Sequence, residues 1–147
     1  WLWILLGALV VGGIVFLIVR ARSAGQAAAQ WRSRAREPYS RGVVLHDRLG
    51  SELAAPQIAP ERIDEATAEL DGISKRLNAL SVDAPEAARQ PMSDVLMTGG
   101  LLRSSLDDVK RAAAPEARQA ATGAARDHLV DFENALRAFR AAVWPQP

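Results

Sequence analysis

From Trp1 to Val19 the chain carries no charged or strongly polar side chain. At about 1.5 Å rise per residue, a helix of that length covers roughly 29 Å, close to the ~30 Å hydrocarbon core of a bilayer. Trp1 and Trp3 stand at one end, where amphipathic rings favour the headgroup layer, and Arg20 and Arg22 close the other. A cleaved signal peptide has a shorter apolar region, roughly 7–15 residues, with a positive segment before it, and this run fits neither feature. The expectation is a transmembrane helix over 1–19.

Charge is unevenly spread behind that run. Residues 20–41 hold six arginines (Arg20, Arg22, Arg32, Arg34, Arg36, Arg41) against one acid, Glu37, while the rest of the chain holds twelve Lys/Arg against sixteen Asp/Glu. Arginine beside a span is retained on the cytoplasmic side. The expected topology is a single-pass cell-membrane protein, N-terminus outside and remainder cytoplasmic. Arg20, Arg22, Arg32, Arg34 and Arg36 form the expected anchor to anionic lipid headgroups, at about 1 kcal/mol per residue near the surface. No aromatic-interleaved sheet or basic recognition helix comes after them, so nucleic acid is not an expected partner.

Three Ala-Pro-Glu triplets, Ala59-Pro60-Glu61, Ala84-Pro85-Glu86 and Ala114-Pro115-Glu116, punctuate the remainder of the chain. Proline suits the first helical turn, where its missing N–H is not needed, and Glu there complements the helix dipole. The triplets read as three helix starts, with Asp83 and Glu86 as a capping pair for the second. Apolar residues recur in steps of three and four. One series is Ile63, Ala66, Leu70, Ile73, Leu77, Leu80, and another is Met92, Val95, Gly99, Leu102, Leu106, Val109, Ala113. The last is Ala125, Leu129, Phe132, Leu136, Phe139, Val143. Strands would need a two-residue period. Nearer the N-terminus, Ala28, Trp31, Ala35, Gly42, Leu45 and Leu49 keep the same rhythm straight through Pro38, which predicts one long helix kinked there. Pro91 should kink the start of the third.

The expected fold is all-α: an N-terminal transmembrane helix continuing into an up-down-up-down antiparallel four-helix bundle over 20–147. Its helices are placed at about 20–54, 60–80, 84–113 and 115–143. Short connections make chain neighbours antiparallel, so the last helix returns toward the membrane with Trp144.

Chemistry is sparse. The chain has no cysteine, which excludes disulfides and thiolate chemistry. A di-iron bundle needs Glu three residues before each His, yet Val43 precedes His46 and Ala125 precedes His128. Adjacent helix positions face different ways, so His46-Asp47 and Asp127-His128 are not expected to pair. Ser104-Ser105 with Asp107-Asp108 lacks a base at helical spacing, although Lys110 is close in sequence. No catalytic, metal or cofactor residue is therefore expected. Gly99, at a mid-helix seam position, should admit a bulky neighbour such as Trp31 or Phe132, with a small ligand cavity as the functional alternative. In the span, Ala8 and Gly12 place two small residues on one face, where another membrane helix can approach closely.

Lysine occurs only at Lys75 and Lys110, while Arg and Ala abound. With the single span, Trp31 in an Arg-rich exit helix and an Ala/Arg/Leu bundle, the layout resembles small single-pass proteins of actinobacteria. Some of those are accessory subunits of membrane assemblies, including the respiratory supercomplex association factors. That resemblance implies a non-enzymatic accessory or assembly subunit whose partners are other integral membrane subunits, with the respiratory chain as the named candidate. A membrane-anchored sensor or signalling bundle is the alternative.

Overall fold

A computed structural model describes the backbone of residues 2–145 and the side chains of residues 25–145. Four helices succeed one another, α1 (Leu2–Ala54), α2 (Pro60–Ser81), α3 (Glu86–Arg111) and α4 (Pro115–Val143), with no strand among the described residues. Each packs against its neighbours in the chain, and α4 closes the ring on α1, with no close backbone approach across either diagonal among the described residues. The order is legible in cross-helix pairs: Glu37 with Arg76 and Arg48 with Glu69, Asp64 with Lys110 and Asp71 with Arg103, Gly99 against Phe132 and Ser105 with His128, and His46 near Glu133 with the Leu53 carbonyl on Arg126. Numbers that rise on one helix fall on the next, so chain neighbours are antiparallel.

Three-four spacing decides which face is inside. All six α2 seam residues named from the sequence are buried, as are all six of α4. In α3 the series is buried from Met92 to Val109, but Ala113 is exposed, because the helix stops at Arg111. The Ala112 N–H still bonds to the Asp108 carbonyl, and the chain then turns extended. In α1 the buried line is Trp31, Ala35, Pro38, Gly42, Leu45, Leu49 and Leu53, with Ala28 half-buried.

Helix α1 continues through Pro38, and α3 through Pro91. A proline removes one i→i−4 bond, which in these two helices leaves the Arg34 and Ala87 carbonyls without that donor. Both residues are exposed, so water reaches the sites.

The proline starts differ among themselves. Pro60 and Pro115 open α2 and α4 in the first turn behind Ala59 and Ala114. Pro85 instead occupies the N-cap of α3, so the helix begins at Glu86 rather than at residue 84. The expected Asp83–Glu86 capping pair does not form. A cap needs a side-chain acceptor at the N-cap itself, and proline offers none. Glu86 accepts from Arg89 Nη1 at 2.9 Å instead.

Side chains from other elements bond to carbonyls in the last turns of α1 and α2. Trp31 Nε1 donates to the Leu80 carbonyl at 2.9 Å, inside the core. At the opposite end of the bundle, Arg126 Nε donates to the Leu53 carbonyl at 3.0 Å. Both carbonyls belong to the last turn of a helix, where no intrahelical donor exists. Helix α1 is thus tied to its neighbours near both ends of the bundle.

Among the described residues, no helix is long and apolar enough to cross a membrane. Residues 2–19 of the apolar run belong to α1, and the side chains of the run lie outside the described residues.

Candidate functional site

The end of the bundle from which α1 emerges combines a buried aromatic cluster with an exposed basic rim. Trp31 is 1% exposed and meets Phe139 edge-on, with ring centroids 6.4 Å apart. Tyr39 and Phe139 both pack on Trp144, at 5.4 and 6.2 Å. The ring of Trp144, expected at a membrane surface, is therefore half-buried against its own bundle. Around this cluster Arg32, Arg34 and Arg36 are exposed and none makes an ion pair or hydrogen bond among the described residues; Arg140 on α4 is in the same state.

Elsewhere the cations are engaged. From Arg41 to Arg137, every arginine and lysine except Lys75 has a carboxylate or main-chain carbonyl partner. Arg41 and Arg76 share Glu37; Arg48 takes Glu69, Arg103 takes Asp71 and Lys110 takes Asp64. Arg62, Arg89, Arg111 and Arg137 each pair within their own helix. Arg118 and Arg126 bond to the Ala112 and Leu53 carbonyls. Among the described residues, the arginines without partners thus gather at one end of the bundle. Ala8, Gly12, Arg20 and Arg22, also singled out from the sequence, fall outside the residues whose side chains are described.

Two polar contacts depart from the sequence expectation. Ser105 on α3 meets His128 on α4, Oγ to Nδ1 at 2.6 Å. The base missing from Ser105's own helix is supplied by the next one, a pairing that helical spacing within one element does not reveal. Ser105 is 5% exposed, and its Oγ is also 3.1 Å from the Leu101 carbonyl. A hydroxyl has one proton. Both bonds are satisfied when Oγ–H donates to Leu101 and the imidazole Nδ1–H donates to Oγ. In that arrangement the histidine holds the hydroxyl as an acceptor and does not activate it as a nucleophile.

His46 corrects a second expectation. Its Nδ1 lies 3.1 Å from Asp47 Oδ1, although the two are adjacent on α1, and its Nε2 lies 3.6 Å from Glu133 of α4. Adjacent Cβ atoms diverge, but an exposed Asp side chain can fold back toward the ring. These groups border a recess of about 160 Å³ with Tyr39, Leu136 and Arg140. No group of three or more His, Asp or Glu among the described residues is arranged to hold a metal ion.

Gly99 behaves as its position suggests: a Cβ there would sit 3.4 Å from Phe132 Cε2, so the glycine makes room for that ring. The large cleft lies elsewhere, at the far end of the bundle. It measures about 960 Å³ and is open to solvent between the α1–α2 connection and the start of α4. Lys110, Arg118 and Arg126 line it, but Asp64 and the Ala112 and Leu53 carbonyls already hold all three. Lys110 is neutralised by Asp64, while the carbonyl bonds of Arg118 and Arg126 tie those side chains into the bundle end.

No known protein family, curated protein or solved structure matches this chain.

Proposed function

We propose that the protein is a non-enzymatic, single-pass accessory or assembly subunit of a larger membrane complex. The observation that carries the reading is the continuity of α1, one helix from Leu2 to Ala54 that joins the apolar run to the bundle core. Residues 1–19 cross the bilayer, Arg20 and Arg22 hold the cytoplasmic boundary, and the bundle stands in the cytoplasm with the N-terminus outside. Ala8 and Gly12 offer a face on which a neighbouring membrane helix can pack. The polar groups inside the bundle serve packing and capping, as the Ser105–His128 pair and Arg126 illustrate, which favours a contact role over catalysis. A respiratory-chain complex is the named candidate for the assembly, on the strength of layout and composition. The alternative, a sensor relaying a helix displacement, also uses the continuous α1, and it requires a second arrangement of the core.

Topology is tested with a cysteine at Ser51, which is exposed near the far end of α1. In intact cells that cysteine should resist a membrane-impermeant thiol reagent and react once the cells are opened. Ready labelling of intact cells would overturn the cytoplasmic placement.

A further inference from the structure

The five arginines expected on lipid headgroups divide by height. Their heights rest on the proposed span, with the hydrocarbon boundary at Val19. Along a helix rising about 1.5 Å per residue, Arg20 and Arg22 lie within roughly 5 Å of that boundary. A headgroup layer of about 5–8 Å on each side of the core encloses them. Arg32 is already about 20 Å along the helix axis and Arg36 about 25 Å. At the average tilt of about 20° these heights fall only slightly, to roughly 18 and 24 Å. An arginine extended back toward the bilayer recovers about 7 Å of that distance, which leaves both guanidinium groups above the headgroups. Arg140 shares a recess with Tyr39, which is further still from the boundary than Arg36.

These are also side chains that the bundle leaves without partners; Arg34, likewise without one, stands roughly 160° around α1 from both Arg32 and Arg36 and does not share their face. Arg32 and Arg36, four residues apart, lie on one face of α1. The α1–α4 side of the bundle adds Arg140, which borders a recess with Tyr39, about one turn along α1 from Arg36. None of the three has a carboxylate or carbonyl partner among the described residues, whereas the cations between Arg41 and Arg137 are paired with the single exception of Lys75. An exposed, unpaired arginine presents a planar fork of donors suited to carboxylates.

We infer that Arg32, Arg36 and Arg140 form a docking surface for an acidic, extramembrane segment of a neighbouring membrane protein, rather than for lipid headgroups. Arg20 and Arg22 alone serve the bilayer. Contacts of this kind steer association and weaken with salt, so docking is lost at high ionic strength while the span stays inserted.

A photo-crosslinking residue at Ser33, which is exposed one turn before Arg36, tests this in the full-length chain within its native membranes. The expected result is a protein adduct whose crosslinked peptide is rich in Asp and Glu. Its yield should fall at least about tenfold in an R32E/R36E/R140E variant and at high salt, and should be retained in part in R32K/R36K/R140K, which keeps the charge without the planar fork. Circular dichroism of each variant checks that the bundle is intact. An adduct with lipid alone, or a protein adduct insensitive to charge reversal in a folded variant, overturns the docking surface and leaves the spanning reading standing. Release of the chain by an alkaline wash overturns both.

Discussion

Glycine gives the clearest measure of how single residues are used. A Cβ added at Gly100 meets nothing within 4 Å, and that residue is exposed on α3. Gly100→Ala removes only chain entropy from the unfolded state, so it should stabilise the full chain by about 0.5–1 kcal/mol. At Gly42 the same atom would come 3.0 Å from Leu136 Cδ2, between α1 and α4. Gly42→Ala should forfeit that gain, since Leu136 must give way inside a packed core. Thermal midpoints of the two variants in mild detergent check the contrast; equal shifts would mean that α1 and α4 are not in close approach at this point. In the sequence Gly42 reads only as a seam position, and nothing local tells it apart from Gly99, which faces Phe132. Which glycine meets which side chain depends on the stagger between helices, and no periodicity within one helix encodes that.

At the scale of elements, the seams are the most legible part. Burying a leucine face gives a strong period, and the α2 and α4 series hold at every position because an exposed Leu or Phe there would have no compensating contact. Boundaries are harder. A proline marks a helix start but does not say whether it stands at the cap or inside the first turn, and Pro85 takes the cap while Pro60 and Pro115 do not. The polar locks between elements, Trp31 to Leu80 and Arg126 to Leu53, are invisible to any pattern within one segment. Trp31 reads as another apolar seam residue, yet its indole N–H closes α2. Trp31→Phe keeps much of the ring packing and leaves the Leu80 carbonyl buried without a donor, at a cost of about 1–3 kcal/mol. Chemical denaturation monitored by far-UV circular dichroism measures this, and an unchanged midpoint would show that the bond contributes nothing to α2.

For the whole molecule, composition carries the separation into an apolar lead and a bundle, and the structure adds where the free charge collects. Arg32 and Arg36 can be counted from the sequence, but their lack of partners cannot, because pairing depends on which acids the fold brings near. Arg140, over a hundred residues away, has no sequence signal linking it to them. The single helix α1 sets one more relation. A regular helix turns about 100° with each residue, so the azimuth of every bundle face is geared to the azimuth of the Ala8–Gly12 face. On an ideal helix the Arg32–Arg36 face stands roughly 120° around the axis from that of Ala8 and Gly12. One alanine inserted between Ala27 and Ala28 would swing the bundle about 100° and raise it by only about 1.5 Å, while seven residues would raise it by about 10 Å yet return it to within about 20° of its starting azimuth. If the assembly reads azimuth, the one-residue insertion should abolish the Ser33 crosslink more thoroughly than any change in height of that size could, and the gear ratio of an α-helix becomes the specification for how the protein faces its neighbours.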